Sequence, residues 1–539
     1  MYKIKQLNLK LLLILCVAFV LRLYGINWDS GFHLHPDERM ISMVADRIHF
    51  FDKLNPHFFN YGSLPIYLLK GVAQGIDILF SSALGVYQGL LNVGRALSIL
   101  FDLGTTFLIY KIVIFLFKKK DIAFFSSFFY SVAFFAIQNS HFFTVDVLFT
   151  FLATLLLYRL LFYTKDQSFK SIFIIGVVFA ALFATKFTAI IFLPIIILAL
   201  LIFNSRPVTN LFCFGVSLLT FNFLFMPYAF LDFFQFVRDI SLQLVMNKNA
   251  YIFPYTLQYV NTLPYWYYLK NVFLWGLGPI VSILSLVGLI QLIFNFPRTN
   301  FFEIFRGKQF LTKFLIFILF YFFYFLVIGA SAVKFMRYML PLYPFLAIMA
   351  GFGLYKISKY SNTQISQLLI IGSVLWTLLF INIYSQPNTR VAATEWILKN
   401  IPTGSSLAVE YWDDYLPIYG GDRYHFKELH LYDIPDDGQK WNRLNKQLKE
   451  SNYIVIASNR LYIPLQKLAD CSTYKSCYPK TAEYYQKLLN GELNFKEVAE
   501  FSVRPGIQIG SFKFEINDES ADESFTVFDH PKVMIFKKL

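Results

Sequence analysis

The chain has 539 residues, is 56% hydrophobic and 19% aromatic, and carries only 15% charged residues at a mean hydropathy of +0.51. Soluble chains carry about 25% charged residues, so this composition excludes an ordinary cytosolic enzyme, a disordered protein and a small secreted module. The net charge of +14 is uneven: residues 386–539 hold 19 basic and 21 acidic side chains, leaving 29 and 13 for the first 385. A basic excess confined to the apolar part is the bias of a membrane protein, and no aromatic-interleaved basic stripe of the nucleic-acid kind occurs.

Lys3, Lys5 and Lys10 precede the first apolar run, 11–24. No small-residue cleavage site follows it, so it reads as an uncleaved helix with a cytosolic N-terminus, and Arg22 near its far end snorkels to the outer interface. Further spans are expected at 93–117, 122–138, 145–163, 172–185, 188–203, 211–226, 272–294, 310–330, 338–355 and 365–384, about eleven in all, most near the ~20 residues a crossing needs. Alternation of sides places Lys118–Lys120, Lys165 with Lys170, Arg206, Arg298 with Arg306 and Lys308, and Lys356 with Lys359 on the inside, as the positive-inside rule requires. The odd count puts the C-terminus outside.

Two outer loops are too long to be turns. Residues 27–92 hold amphipathic stretches around 40–51 and 64–80, broken by Asp46, Arg47, Lys70 and Asp77, which read as interfacial helices. Residues 227–271 are dense in Tyr and Trp, either an aromatic belt or a sugar-stacking surface. Residues 1–385 thus form a transmembrane module. Residues 386–539 alternate helix (394–400, 441–450, 481–489) with strand (406–410, 453–457, 525–528, 533–536), the pattern of a small extracytoplasmic α/β domain. Cys471 and Cys477 lie in this domain. A disulfide between them requires an oxidising compartment, and the spacing alone leaves their pairing open. Cys16 and Cys213 sit in apolar runs as small buried thiols.

The chemistry-bearing residues gather at the outer ends of the spans. In His35-Pro36-Asp37-Glu38, Pro36 suits the first position of a helix, and the two acids then fall in its first turn. They either compensate the helix dipole or supply a carboxylate that removes a proton from an acceptor hydroxyl. Arg95, Lys186, Lys334 and Arg337 lie near the same outer face. Each is a snorkelling anchor or part of a basic ring for an anionic membrane ligand, a lipid phosphate above all. Asp102 sits two turns beyond Arg95, in its field. Asp146 and His141 mark another outer mouth, where the acid caps a helix, orients an acceptor or holds a cation. His33, His35, Asp37 and Glu38 together match no closed zinc motif, and metal dependence stays open: no cofactor is certain, and a divalent metal is an option.

His35-Pro36-Asp37-Glu38, Asn60-Tyr61-Gly62-Ser63-Leu64-Pro65, the stretch 140–146, Ala184-Thr185-Lys186 and Arg337-Tyr338 with Leu340-Pro341 and Tyr343-Pro344 resemble the GT-C membrane glycosyltransferases. The likeness is to the lipid-carrier-dependent branch around glycosyltransferase family 39, the protein O-mannosyltransferases and the aminoarabinose transferase of lipid A. The C-terminal segment resembles the extracytoplasmic domain of bacterial and archaeal members at 393–397, 401–404, 410–414 and 522–531. The resemblance implies a polyprenyl-phosphate sugar donor, inverting transfer outside the cytosol, and Asp37 as general base with Glu38 as the second acid of the pair. With such a donor, the basic ring of Arg95, Lys186, Lys334 and Arg337 is expected to bind the phosphate, and His35, His141, Asp146 and Tyr338 to orient the acceptor. The expected protein is therefore a multi-pass plasma-membrane enzyme of the cell envelope. Its partners are a polyprenyl-phosphate sugar, membrane lipids and a glycan, lipid or protein acceptor, with no nucleic acid. The eukaryotic sugar-binding insert is absent, which leaves the acceptor open. The rival expectation is a non-catalytic transporter of lipid-linked glycans, which often shows inverted repeats or broken helices.

Overall fold

The structure, a computed structural model, describes residues 9–202, 206–295, 309–360 and 363–539. Lys3, Lys5, Arg298, Arg306, Lys308 and the end of the 188–203 run lie outside the described residues. The chain divides into two compact units. Unit 1 comprises Met1–Ile26, His35–Leu244 and Pro264–Leu378; unit 2 comprises Asn27–Leu34, Val245–Leu263 and Leu379–Leu539.

Unit 1 is helical. Its elements begin with α1 (Leu9–Leu23), α2 (Pro36–Asp46), α3 (Leu64–Phe80), α4 (Tyr87–Phe117), α5 (Lys120–Ser131), α6 (Phe134–Ser140), α7 (Val145–Tyr163) and α8 (Phe169–Phe183). A 3-10 turn, Phe187–Phe192, leads into α9 (Leu193–Ile202), followed by α10 (Pro207–Phe225), α11 (Tyr228–Leu231) and α12 (Phe233–Lys248), whose last turn belongs to unit 2. Then come α13 (Trp266–Asn271), α14 (Pro279–Asn295), α15 (Gln309–Gly329), a 3-10 turn Met336–Leu342, α16 (Tyr343–Tyr360) and α17 (Thr363–Ile381).

Among the described residues, six helical stretches are long and apolar enough to cross a membrane: Tyr87–Phe117, Val145–Tyr163, Pro207–Phe225, Thr312–Gly329, Met336–Tyr360 and Thr363–Asn400. The pair α5–α6, bent by 58°, makes a seventh. Phe169–Phe183, Phe187–Ile202 and Pro279–Phe294 are apolar but shorter. A helix thus stands at every expected span, and among the described residues six or seven of them meet the length and hydropathy of a crossing on their own. The protein is an integral membrane protein.

The centre of unit 1 is α4, which packs against α1, α2, α3, α5 and α7. Its interior holds a polar group that pattern alone misassigns. Arg22 does not snorkel to an interface, and Asp102 is not paired with Arg95. The two are buried and ion-paired with each other. Tyr130 Oη donates to Asp102 Oδ1 at 2.7 Å, and Arg22 Nη1 donates to the carbonyls of Ala18 (3.1 Å) and Ser131 (3.0 Å). A charge in hydrocarbon is retained only when paired and hydrogen-bonded, and α1 brings the partner that sequence separation concealed. On the other side, α14 packs on α16. Gly288 permits this approach, because a Cβ there would lie 1.9 Å from the Met349 carbonyl oxygen.

The first long loop folds as α2 and α3, the latter spanning the expected 64–80. Ile41, Val44, Ala45, Ile66, Leu69 and Ala73 from these helices form one core with Leu90, Val93, Phe143 and Val145. That core fixes α2 against the start of α4 and the start of α7, the placement on which the site depends.

Unit 2 is α/β. Besides α18 (Thr389–Asn400), it contains β1 (Ser406–Glu410), β2 (His425–Leu429), α19 (Gly438–Glu450), β3 (Tyr453–Ile456), α20 (Tyr462–Lys467), α21 (Pro479–Leu489), β4 (Phe495–Phe501), β5 (Gly506–Ile509), β6 (Phe512–Glu515), α22 (Glu523–Thr526) and β7 (Val533–Lys538). The five-stranded sheet runs β2-β1-β3-β7-β4, with β2, β1 and β3 parallel and β7 antiparallel to β3 and β4; β5 and β6 form a separate hairpin. Leu407, Val409, Tyr453, Val455, Val533 and Ile535 pack with Ala393, Ile397 and Ile401 of α18 and its end as the core. The segment 525–528, expected as a strand, is instead the end of α22 and the turn after it. Asp522 caps that helix, accepting from Ser524 N at 2.9 Å, and a capped turn outweighs the β-propensity of Phe, Val and Thr. Cys471 and Cys477 are disulfide-bonded, with Cα atoms 5.0 Å apart.

Candidate active site

The site is built where four helix starts meet. His35 is the N-cap of α2, and its Nδ1 accepts the Asp37 backbone N–H at 3.2 Å. An accepting Nδ1 puts a neutral ring's proton on Nε2. The ring packs on Phe142 at 4.6 Å. Asp37 projects from the first turn of α2, and its Oδ2 meets Arg337 Nη2 at 2.9 Å. Arg337 stands on the 3-10 turn before α16, its guanidinium 4.7 Å from the Phe335 ring. Its Nε reaches Asp146 Oδ2, in the first turn of α7, at 3.5 Å. Asp146 Oδ1 accepts from Lys186 Nζ at 2.8 Å, and that ammonium lies 4.2 Å above the Tyr338 ring.

Asp37, Arg337, Asp146 and Lys186 therefore form an alternating array of two carboxylates and two cations. The array is only partly buried: Asp37 keeps 23% of its side-chain exposure, Lys186 15% and Arg337 13%. An entering anion can compete for either cation, and a carboxylate so released becomes a free base.

Lys186 is held by a backbone clamp. Gly62 N donates to Thr185 O (3.2 Å) and Leu64 N to Ala184 O (3.0 Å), so the 60–65 loop pairs with residues 184–185. A Cβ on Gly62 would lie 1.9 Å from the Ala184 carbonyl oxygen. Two sequence stretches more than a hundred residues apart are thus one structural feature. The clamp also sets Tyr61, whose phenol feels Asp37, Arg337, Asp146 and Tyr338. Burial first, then the Asp37 carboxylate, push its pKa well above 10.0, so it stays a neutral hydroxyl. Sequence reading placed Tyr61 in a motif without giving it a role; a tyrosine in a tyrosine-rich membrane protein carries no signal of its own.

Glu38, Arg95, His141 and Lys334 make contacts of their own. Glu38, expected beside Asp37 as the second acid, points inward and is bidentate with Arg95: Nε to Oε1 at 3.1 Å and Nη2 to Oε2 at 2.8 Å. Both are essentially unexposed. Glu38 Oε1 also accepts Phe143 N at 2.9 Å, and Arg95 Nη1 donates to Ile26 O at 2.7 Å. This pair braces α2 against α4 and the segment before α7, on a different side of α2 from Asp37. The reason is geometric: adjacent helical residues point about 100° apart, so Asp37 and Glu38 cannot share a face. His141 Nε2 lies 2.9 Å from Tyr24 O, and Lys334 Nζ donates to Ala332 O at 3.1 Å. Among the described residues, no group of three or more His, Cys, Asp or Glu side chains could hold a metal ion.

A family model for dolichyl-phosphate-mannose-protein mannosyltransferases matches residues 84–231. No curated protein matches the sequence. Across most of its length the chain is similar to the apo oligosaccharyltransferase of Archaeoglobus fulgidus, at 12% identity and a TM-score of 0.50, covering 94% of this chain and 74% of that one. The fold is GT-C. It is also similar to ArnT of Cupriavidus metallidurans bound to undecaprenyl phosphate (14% identity, TM-score 0.49, 85% of this chain and 94% of that one). The Saccharomyces cerevisiae Pmt1-Pmt2 complex bound to its sugar donor matches over 43% of this chain at 18% identity and a TM-score of 0.31.

Proposed function

We propose that the chain is a membrane glycosyltransferase that moves a sugar from a polyprenyl-phosphate carrier to an acceptor hydroxyl at the outer face of the cell membrane. The observation that carries this reading is the array Asp37–Arg337–Asp146–Lys186 on a GT-C fold. The matching family model, described for a dolichyl-phosphate sugar enzyme, supports the donor class. Charge alternation along the spans and the Cys471–Cys477 disulfide, a bond of oxidising compartments, support a cytosolic N-terminus and an extracytoplasmic unit 2.

In this mechanism the donor phosphate draws Arg337 and Lys186 away from their carboxylates. Arg337 gives a bidentate, charge-assisted contact and Lys186 a point charge. Asp37, released from Arg337, accepts the proton of the acceptor hydroxyl. The hydroxyl oxygen attacks the anomeric carbon from the face opposite the phosphate. The bond from that carbon to the phosphate oxygen breaks, and its electron pair stays on the phosphate. Configuration inverts, and the two cations hold the charge that develops on the phosphate. Asp146, released with Asp37, orients the acceptor, and Tyr61 and Tyr338 offer hydroxyls to donor or acceptor. Glu38 and Arg95 act as a brace.

Mass spectrometry of lipids retained by the purified protein tests the donor class. Polyprenyl phosphate or its glycosylated form is expected, and Arg337→Ala should reduce its retention at least tenfold. Retention of bulk phospholipids alone, or equal retention by the variant, contradicts the phosphate clamp.

A further inference from the structure

Unit 2 carries a second constellation that the transfer reaction does not use. In sheets with parallel strands, ligands bind beyond the carboxyl ends of the strands, at the point where connections diverge. In unit 2 that point lies between β1 and β3: the chain leaves β1 towards β2 on one side, and leaves β3 towards the opposite edge. The two loops there are 411–414 and 457–460. They are joined by Ser458 Oγ donating to Asp413, and by Arg460, whose Nη1 lies 3.8 Å from Asp413 Oδ1.

The turn after β1 holds Trp412 in a conformation that needs explaining. Asp413 N donates to Glu410 O at 3.3 Å, closing a four-residue turn, and Trp412 occupies its third position at φ +85°. That position suits glycine, and bulky residues in it mark strain imposed by their surroundings. The surroundings are an anchored Asp413. Its carboxylate accepts Asp414 N (2.9 Å), the Ser458 hydroxyl and Arg390 Nη2 (3.4 Å). The strain yields no buried packing in return, because Trp412 is 40% exposed.

The ring instead extends an aromatic surface. Tyr411, 36% exposed, stacks on His430 at 4.2 Å and meets Trp412 at 5.6 Å. Phe253 approaches Trp412 edge-on at 6.2 Å and stacks on Tyr255 at 5.3 Å. Tyr432 Oη pins this second segment through the carbonyls of Tyr251 (2.9 Å) and Ile252 (3.0 Å). Asp414, whose Oδ2 accepts from Arg390 Nη1 at 2.9 Å, gives the surface an acidic edge.

We propose that this surface, centred on Trp412, binds a saccharide. A pyranose offers an apolar C–H face for the aromatic platform and hydroxyl donors for the carboxylate edge. Within the run 410–414, Glu410 and Asp413 are buried, so Asp414 alone supplies the polar edge, and a neutral polyhydroxyl ring suits one acceptor beside an aromatic face better than an anionic headgroup does. The proposal rests on unit 2 alone and stands whether or not Asp37 is the base.

Calorimetric titration of the full chain in nanodiscs, free of maltoside detergent, tests it with mannohexaose, maltohexaose and chitohexaose as probes, and with bilayers containing brominated lipid in a parallel arm. At least one hexasaccharide should bind saturably, at least tenfold more weakly to Trp412→Gly, and with unchanged affinity to Asp37→Asn. Glycine is at ease at φ +85°, so Trp412→Gly should melt no lower than the parent, which separates loss of binding from loss of fold. Absence of binding by all three sugars, undiminished binding in Trp412→Gly, or a lipid-quenched fluorescence component that the parent shows and Trp412→Gly lacks overturns the proposal.

Discussion

Asp37 and Glu38 are neighbours of like chemistry, and the fold gives them opposite fates. The sequence motif placed both carboxylates in the first turn of a helix, and that was correct. It could not say which side of the helix faced the core, because α2 is only eleven residues long and carries polar groups on both faces. Arg95 was legible as a cation at the start of a span, but not its partner 57 positions earlier. Glu38→Gln strands the Arg95 charge in the interior, and breaking a buried pair from one side costs roughly 3–5 kcal/mol. The expected outcome is a marked fall in the melting temperature of the full chain, with the residual folded fraction still retaining the donor lipid. A melting temperature equal to wild type would contradict the bracing role.

The helices of unit 1 announced themselves through apolar runs, and 145–163 and 64–80 were legible to the residue. The breaks were less so: the bend between α5 and α6 falls at Val132-Ala133, inside a run that contains no Pro or Gly. In unit 2, β1, β3 and most of β7 stood out as apolar strands, while β2 and β4 did not. These are the two edges of the sheet, partly solvated and carrying Lys427 and Glu428, or Lys496, Glu497 and Glu500. Charged edges guard against unwanted pairing and erase the hydrophobic signal. The pairing of loop 60–65 with residues 184–185 was likewise invisible, since backbone hydrogen bonds have no side-chain signature. Its dependence on Gly62 is testable. Gly62→Ala must push the two backbones apart, at an overpacking cost of about 1–3 kcal/mol, and should displace Lys186 enough to lower transfer at least tenfold. A variant with wild-type turnover and stability would show that the clamp does not position Lys186.

At the scale of the whole molecule, the charge asymmetry between residues 1–385 and the remainder separated a membrane part from a polar one before any residue was assigned a role. The compact units are not continuous in sequence, because Asn27–Leu34 and Val245–Leu263 join unit 2. Unit 2 also carries a pH dependence that its ordinary composition hides. Buried His530 lies between Asp529 (Nδ1 to Oδ1, 2.5 Å) and Asp518 (Nε2 to Oδ2, 2.9 Å). Burial alone would lower its pKa; the two carboxylates overcome that and raise it from 6.5 to about 10. A folded pKa above the unfolded one adds stability that is complete below pH 6.5 and is lost as pH rises through 10. Glu410 acts in the same direction: burial raises it from 4.5 to about 8, so folding becomes less favourable as pH climbs from 4.5 to 8. The melting temperature should therefore fall by roughly 5 °C or more between pH 6 and pH 10. His530→Gln should lower it most at pH 6 and flatten the decline above pH 6.5. A decline unchanged by that substitution would contradict the assignment to His530.

The most direct test of the account is single-turnover sugar transfer by Asp37→Asn, loaded with purified polyprenyl-phosphate sugar in proteoliposomes and compared with wild type at matched donor occupancy. If Asp37 is the base, the variant retains the donor lipid and its melting temperature, while the transfer step slows by about 10²–10⁴-fold. Transfer at the wild-type rate by a variant with full donor occupancy would contradict it.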